Sequence, residues 1–275
     1  MAGFRVVTDS TADVPPAWQE RYGIEVVPLN VIFGRESFRD GVDLSSDQFF
    51  ERLARSSELP TTSAPAPGEF QAAYERLSKD CDGVISIHIG SNLSATVEAA
   101  RVGAAEVNPF PVHVIDSLST GMPVAFLCRV AAMKDSLADA VGAVEARLDK
   151  TKILALLDTL RYLEMGGRIG RAQYLVGSLL NFKPIVGLFD GAVQAVDRVR
   201  TRRRAIERLG DLLRRDLPIE SLNVMYSTDP EDAERLQHEL NIELRDIEVG
   251  LGRIGAVLGT HVGPRALGLT YIRAE

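Results

Sequence analysis

Residues 84–107, V-I-S-I-H-I-G-S-N-L-S-A-T-V-E-A-A-R-V-G-A-A-E-V, admit few structures. Val84, Ile85, Ile87 and Ile89 make a nearly unbroken apolar run, which suits a strand buried on both faces of a parallel sheet better than a half-exposed one. Gly90 ends the run. Beyond it Leu93, Val97, Ala100, Ala104 and Val107 recur at spacings of three and four, so one stripe of a helix faces the sheet. Ser91 or Asn92 is expected at the helix N-cap, with Ser94 and Thr96 in the first turn. Free N–H groups there favour an anion such as a carboxylate or phosphate, although Ser94 could equally cap its own helix.

The same logic recurs along the first half. Phe4 to Thr8 reads as a strand followed by D-S-T, where Asp9, Ser10 and Thr11 can satisfy backbone groups before Pro15-Pro16 opens a helix. One strand is expected over 25–33, a polar turn-rich stretch over 35–44, and a capped amphipathic helix from Ser46-Asp47-Gln48 through Phe49, Phe50 and Leu53. Residues 60–68, P-T-T-S-A-P-A-P-G, lack apolar periodicity and carry three prolines, so they are read as non-helical. They form either a stiff connector or a rigid loop that presents hydroxyls. A helix over 70–77 leads into the organising strand, and a further strand, 112–115, ends in D-S-L-S-T-G. Three strands thus finish in hydroxyl-rich turns. Ligands of open parallel sheets lie beyond the carboxyl ends of the strands, so these turns and the T-T-S loop are expected to line one crevice. Many hydroxyls and few charges suit holding an anion by hydrogen bonds.

Residues 122–148 read as two helices, and composition shifts at D-K-T-K, 149–152. A boundary there divides the chain into an N-terminal parallel-sheet α/β domain, 1–150, and a C-terminal α+β domain with a mixed or antiparallel sheet, 151–275. A strand over 153–157 precedes a helix closed by Gly166-Gly167. The G-G-R-I-G spacing lacks the Lys-Ser/Thr of a phosphate loop and the strand-first context of a dinucleotide fingerprint. After an apolar segment, 175–182, two strands meet at Asp190-Gly191 in a β-hairpin. Thr201 caps a helix that begins T-R-R-R. Strands near 222–226, 246–249 and 267–272 surround a helix starting at Asp229-Pro230, and G-T-H-V-G-P-R-A-L-G reads as a glycine-rich turn carrying His261.

Composition narrows the function classes. With 31 Lys and Arg against 38 Asp and Glu the net charge is −7, which argues against a general nucleic-acid surface. Two cysteines make neither a disulfide framework nor a cysteine-rich metal site. No apolar run approaches the ~18 residues of a membrane helix and no leader is evident, so a cytoplasmic protein is expected. The histidines at 88, 113, 238 and 261 show no metal-binding spacing, and no serine sits in a nucleophile elbow. On residues alone the chain is a two-domain α/β protein that binds a small anion, with no catalytic residues and no metal.

The ordered motifs T-D-S-T-A-D-V-P, P-L-N-V, P-T-T-S-A-P, S-N-L-S-A-T, D-S at Asp116, L-x-Y-L-x-x-G-G-R-I, K-P-I and H-V-G-P resemble the DegV family of bacterial fatty acid-binding proteins along almost the whole chain. That resemblance implies a long-chain fatty acid such as palmitate or oleate held between two domains, with no other cofactor. Its carboxylate would be bound by Thr62 and Ser94, with Thr61, Ser63, Ser91, Asn92, Arg168 and His261 close by. The resemblance also implies a lipid-binding subunit in phospholipid synthesis, which presents the acid to an ATP-dependent fatty acid kinase for acyl phosphate formation. This fits a chain without a nucleotide motif. Arg198, Arg200, Arg202 and Arg203 are the expected docking charges for that kinase. There is no nucleic-acid partner and no integral membrane segment, while transient membrane contact would serve lipid exchange. Two positions depart from the family pattern, Ala95 and Arg265, each standing where glycine is usual. The alternatives are an enzyme acting on a small anion through Ser94 and His261, and a nucleic-acid regulator acting through residues 198–204.

Overall fold

The computed structural model describes residues 3–175 and 182–274. The first half contains β1 (Phe4–Asp9), α1 (Pro16–Tyr22), β2 (Ile24–Val27), β3 (Asn30–Phe33), β4 (Glu36–Arg39), α2 (Ser46–Arg55) and β5 (Thr61–Ser63). It continues through α3 (Pro67–Leu77), β6 (Gly83–His88), α4 (Thr96–Ala105), β7 (Val112–Asp116), α5 (Met122–Ala132) and α6 (Leu137–Glu145). Four strands form a parallel sheet in the order β2-β1-β6-β7.

All six residues of β6 are buried, including two polar ones, because a hydrogen-bonded chain satisfies them. Asp9 Oδ2 lies 3.0 Å from His88 Nδ1, His88 Nε2 lies 2.7 Å from Ser86 Oγ, and Ser86 Oγ lies 2.8 Å from Tyr74 OH. The order Asp-His-Ser has the form of a catalytic relay. All three side chains are sealed from solvent, so here it joins β1, β6 and α3.

The second half contains β8 (Thr151–Leu156), α7 (Arg161–Met165), β9 (Lys183–Phe189), β10 (Ala192–Val199), α8 (Arg202–Arg214) and β11 (Ile219–Tyr226). It ends with α9 (Pro230–Glu243), β12 (Val249–Arg253), α10 (Ala256–Val262) and β13 (Leu267–Arg273). Its sheet runs β10-β9-β8-β13-β11-β12, antiparallel throughout except for the β11/β12 pair. The hairpin expected at Asp190-Gly191 is present, with φ of 50° and 72° as its tight turn demands. Thr201 caps α8 by accepting from the Arg204 N–H.

The single strand expected over 25–33 is two. Pro28 cannot donate to a ladder, and after it β3 leaves the parallel sheet to pair with β4 and β5 in a small antiparallel sheet. Residues 60–68, expected to be non-helical, supply β5 and then the first turn of α3, where Pro67 tolerates the helix start. Helix α4 starts at Thr96, so neither Ser91 nor Asn92 caps it and Ser94 precedes the first turn. The last edge strand begins three residues later than expected, at Val249. Most of the apolar run expected over 175–182 lies outside the described residues.

The largest correction is α10. His261 stands on a helix, not in a glycine-rich turn. Gly259 gives that helix its close approach to α2, since a Cβ there would lie 2.7 Å from the Phe49 ring and 2.8 Å from that of Phe50. The short apolar stripe Ala256, Val257 and Thr260 is buried only because the first half covers it, a tertiary cause that local spacing does not show. One core cluster also crosses between the halves, with Ile85 and Leu127 on one side and Leu157, Leu163 and Ile272 on the other. Among the described residues no helix is long and apolar enough to cross a membrane.

Candidate functional site

A chamber of about 210 Å³ lies where the two halves meet. Its wall is mainly aliphatic, with Leu29, Ile89 and Leu93 from the first half facing Ile153, Leu157 and Val186 from the second. A smaller apolar space of about 90 Å³ adjoins it and shares Thr120, Ile153, Ala155, Leu258 and Val262 with it. Together they reach the lower end of the roughly 300 to 1,000 Å³ typical of ligand sites.

Polar side chains reach this chamber from five separate segments: Thr62, Ser94, Thr120, Arg168 and His261. Thr62 is the central residue of β5, so the pleat turns it toward the chamber while its neighbours Thr61 and Ser63 face solvent. Ser94 comes from the turn between β6 and α4, where its Oγ lies 2.8 Å from Thr96 Oγ1. Arg168 is tethered by donating from Nε to Leu93 O at 3.0 Å and from Nη1 to Gly166 O at 2.6 Å. The first of these bonds ties the segment after α7 to the turn that carries Ser94.

His261 Nε2 lies 3.1 Å from Thr62 Oγ1. Burial, with the Arg168 cation adding to it, pushes the His261 imidazole down to about 4, so it is neutral at pH 7. Its Nδ1 is buried without a partner and packs on Gly166, where a Cβ would stand only 2.3 Å away. In the tautomer protonated at Nε2 the imidazole donates to Thr62 Oγ1, which leaves the Thr62 hydroxyl proton free for an acceptor in the chamber. The site can therefore offer the Thr62 and Ser94 hydroxyls and a guanidinium to one anionic group, while Thr120 is the other polar residue on a mainly aliphatic wall.

Not every expected residue lies on this wall. Ser91 and Asn92 are exposed: the Ser91 N–H is bound to Asp116 Oδ1, and Asn92 donates to Asp190 O at the tip of the β9–β10 hairpin. Of the three hydroxyl-rich turns expected around one crevice, the first is used internally. Ser10 Oγ accepts from the Leu29 N–H, and Thr11 Oγ1 donates to Asp9. The other two contribute Ser94 and Thr120. Thr120 was not singled out from the sequence, and the D-S-L-S-T turn was its one signal; its Oγ1 is buried without a partner.

Ala95 lines the chamber with φ of −75°, an ordinary conformation for alanine. Arg265 adopts φ of 61°, the left-handed conformation that glycine would enter freely. Its Nε lies 3.6 Å from Asp158 and 3.5 Å from Asp229, and it is not part of the chamber wall. The arginine cluster is heterogeneous. Arg202 is mostly buried, donating to Asp232 Oδ2 at 2.6 Å and Arg265 O at 2.7 Å. Arg203 is 84% exposed, and Arg198 and Arg200 lie over the Phe182 ring. Among the described residues no cluster of His, Cys, Asp or Glu could hold a metal ion.

Sheets, chamber and tethered polar groups define a three-sheet α/β protein built around an interior, mainly apolar site with hydrogen-bonding groups on its wall. The family model described as "Uncharacterised protein, DegV family" matches residues 3–274, and the chain belongs to that family. Protein DegV of Bacillus subtilis is 34% identical over 275 residues, covering 97% of this chain and 98% of its own. A DegV domain-containing protein of Streptomyces coelicolor is 36% identical, with 96% of each chain covered. Among solved structures, a fatty acid-binding DegV family protein from Thermus thermophilus superposes with a TM-score of 0.92 at 30% identity, over 98% of this chain and 99% of its own. DegV of Bacillus subtilis, described as a fatty acid binding protein, gives 0.91 at 33% identity, over 99% and 100%.

Proposed function

We infer that this protein is a carrier that binds a long-chain fatty acid in the chamber between its halves, residues 1–150 and 151–275. The carboxylate sits at Thr62 and Ser94, with Arg168 and His261 beside it, and the acyl chain runs along the aliphatic wall. The observation that carries this reading is a mainly aliphatic chamber into which Thr62, Ser94, Thr120, Arg168 and His261 bring polar side chains. The solved relatives described as fatty acid-binding proteins support it.

The energetics suit such a ligand. About fifteen methylenes at roughly 0.8 kcal/mol each give on the order of 12 kcal/mol of burial, less several for lost freedom on binding. Tight binding therefore needs little from the head group, and hydroxyl donors can be spent on orientation. A carboxylate oriented by Thr62 and Ser94 is held with an oxygen ready to act as a nucleophile. This is the form in which an ATP-dependent kinase subunit would take it for acyl phosphate formation, feeding phospholipid synthesis in a bacterial cytoplasm. In that complex Arg203, with Arg198 and Arg200, supplies exposed positive charge for docking, whereas Arg202 is already committed to Asp232.

Denaturing extraction of the purified protein followed by mass spectrometry tests the carrier reading, with sixteen- to eighteen-carbon fatty acid expected as the resemblance implies. Extracts at the level of a buffer blank, together with no uptake of added palmitate or oleate, would refute it.

A further inference from the structure

A second cleft, of about 460 Å³, opens on another part of the seam, between α1 and α5 of the first half and β11 and β12 of the second. Arg129 of α5 stands in it, half buried, with its guanidinium 4.5 Å from the Trp18 ring and 5.5 Å from that of Phe126. The bond from Nη2 to Ser221 Oγ, 2.8 Å, is its one polar contact among the described residues, and no carboxylate lies within ion-pair distance. Glu248 attracts this guanidinium from beyond pairing distance, and most of its donors remain unused. Asn223, also on the wall, is 6% exposed, and its Oδ1 is buried without a partner. The rim carries more acid than base. Arg21 is exposed there, Asp246 and Glu248 are exposed and make no ion pair among the described residues, and Glu220 is held by Arg147.

We propose that this cleft is a second binding site, for a free α-amino acid with an aliphatic side chain. The carboxylate pairs with the open side of the Arg129 guanidinium. The ammonium meets the rim at Glu248. The side chain packs against Leu251, an exposed apolar residue at the cleft edge. A phosphate dianion suits the place less well, because on a protein of net charge −7 the unpaired Asp246 and Glu248 outnumber Arg21 on the rim. A zwitterion matches a cation inside and anions outside. The inference is independent of the fatty acid reading, since the two cavities share no wall residue.

Trp18 is the only tryptophan in the chain, so its fluorescence reports on this cleft alone. Titration with leucine, isoleucine and methionine is expected to give a saturable change in Trp18 emission. Leucine lacking its carboxylate (isopentylamine) or its amine (4-methylpentanoate) should bind at least ~10-fold more weakly, the equivalent of about 1.4 kcal/mol. Arg129→Gln should weaken leucine binding by ~10-fold or more. Glu248→Gln, at an exposed position that leaves the fold intact, should weaken it ~3-fold, a loss suited to one screened charge. Thr62→Val should leave it unchanged. No saturable response to any of the three amino acids up to about 10 mM, well past a weak specific site, overturns the proposal. So does an equal response to the amine or the acid alone, or a response that persists unchanged in both Arg129→Gln and Glu248→Gln.

Discussion

Thr62 Oγ1 and His261 Nε2 lie 3.1 Å apart although 199 positions separate them in the chain. This contact joins a strand of the small antiparallel sheet to the short helix α10, one from each half of the molecule. It makes the donor capacity of Thr62 depend on the protonation and position of His261. Several measurable consequences come from that dependence and from the packing around it.

Thr62→Val and Ser94→Ala each remove one hydroxyl facing the chamber. A hydrogen bond to a charged acceptor contributes ~1.5 to 3 kcal/mol, so each variant should bind oleate roughly ten- to a hundredfold more weakly. The double variant should lose less than the sum, because both hydroxyls would hold one group. Calorimetric titration of the four proteins checks this, and strict additivity would place the hydroxyls on different ligand atoms. Acyl phosphate formation with a kinase subunit should fall further than binding, since a retained but misoriented carboxylate reacts poorly.

Gly166→Ala places a methyl 2.3 Å from His261 Nδ1 and 3.0 Å from Tyr162 O. The imidazole must move away from Thr62 to admit it. Overpacking of this kind costs ~1 to 3 kcal/mol, and fatty acid binding should weaken with it. Thermal melts with and without oleate separate the two effects. A variant as stable and as tight-binding as the parent would show that the α7 C-terminus does not hold the histidine.

Two buried groups should bend the pH dependence of stability in opposite directions. The His261 pKa is lowered from 6.5 to about 4, so between those values the unfolded chain binds more protons than the folded one, and stability falls as pH drops through that window. The Asp40 pKa is raised from 3.8 to about 6, chiefly by burial, so there the folded chain binds more protons and stability falls as pH rises. Each effect amounts to about 3 kcal/mol when complete. Asp13, beside Asp40, has its carboxyl raised well above the usual range, chiefly by burial, and acts in the same direction as Asp40. His261→Gln should therefore lose stability more steeply than the parent on raising the pH between about 4 and 6, and Asp40→Asn less steeply. Chemical denaturation at a series of pH values shows both slopes, and parallel profiles for the two variants would contradict the assignment.

Arg202→Glu and Arg203→Glu should behave differently although adjacent. The first breaks a mostly buried pair with Asp232 and a bond to Arg265 O, and should cost on the order of 3 kcal/mol. The second changes an 84% exposed side chain and should alter stability by less than about 0.5 kcal/mol. Its effect should fall instead on the rate of complex formation with a kinase subunit, and should be screened by salt. Equal destabilisation by both variants would show that Arg203 has a structural role.

The sequence by itself determined the elements whose cause is local. The mainly apolar run of β6, the Asp190-Gly191 turn, the Thr201 cap and the glycine pair after α7 all follow from periodicity or from φ preference within a few residues. It also marked the hydroxyl-bearing segments, because Ser and Thr beyond the ends of strands are visible in one dimension. Which of those hydroxyls face the chamber was decided only by tertiary structure. Strand alternation turns Thr62 inward and Thr61 and Ser63 outward once β5 pairs with β3, while the Ser10 hydroxyl is taken up by the Leu29 backbone. Helix α10 is the clearest case. Seven residues flanked by glycine carry too little local helical signal, and the helix persists because Phe49 and Phe50 close over Gly259. The same packing brings His261 to Thr62. A contact across 199 residues has no periodic or compositional trace, since only the folded backbone sets the distance between two side chains that never approach one another along the chain.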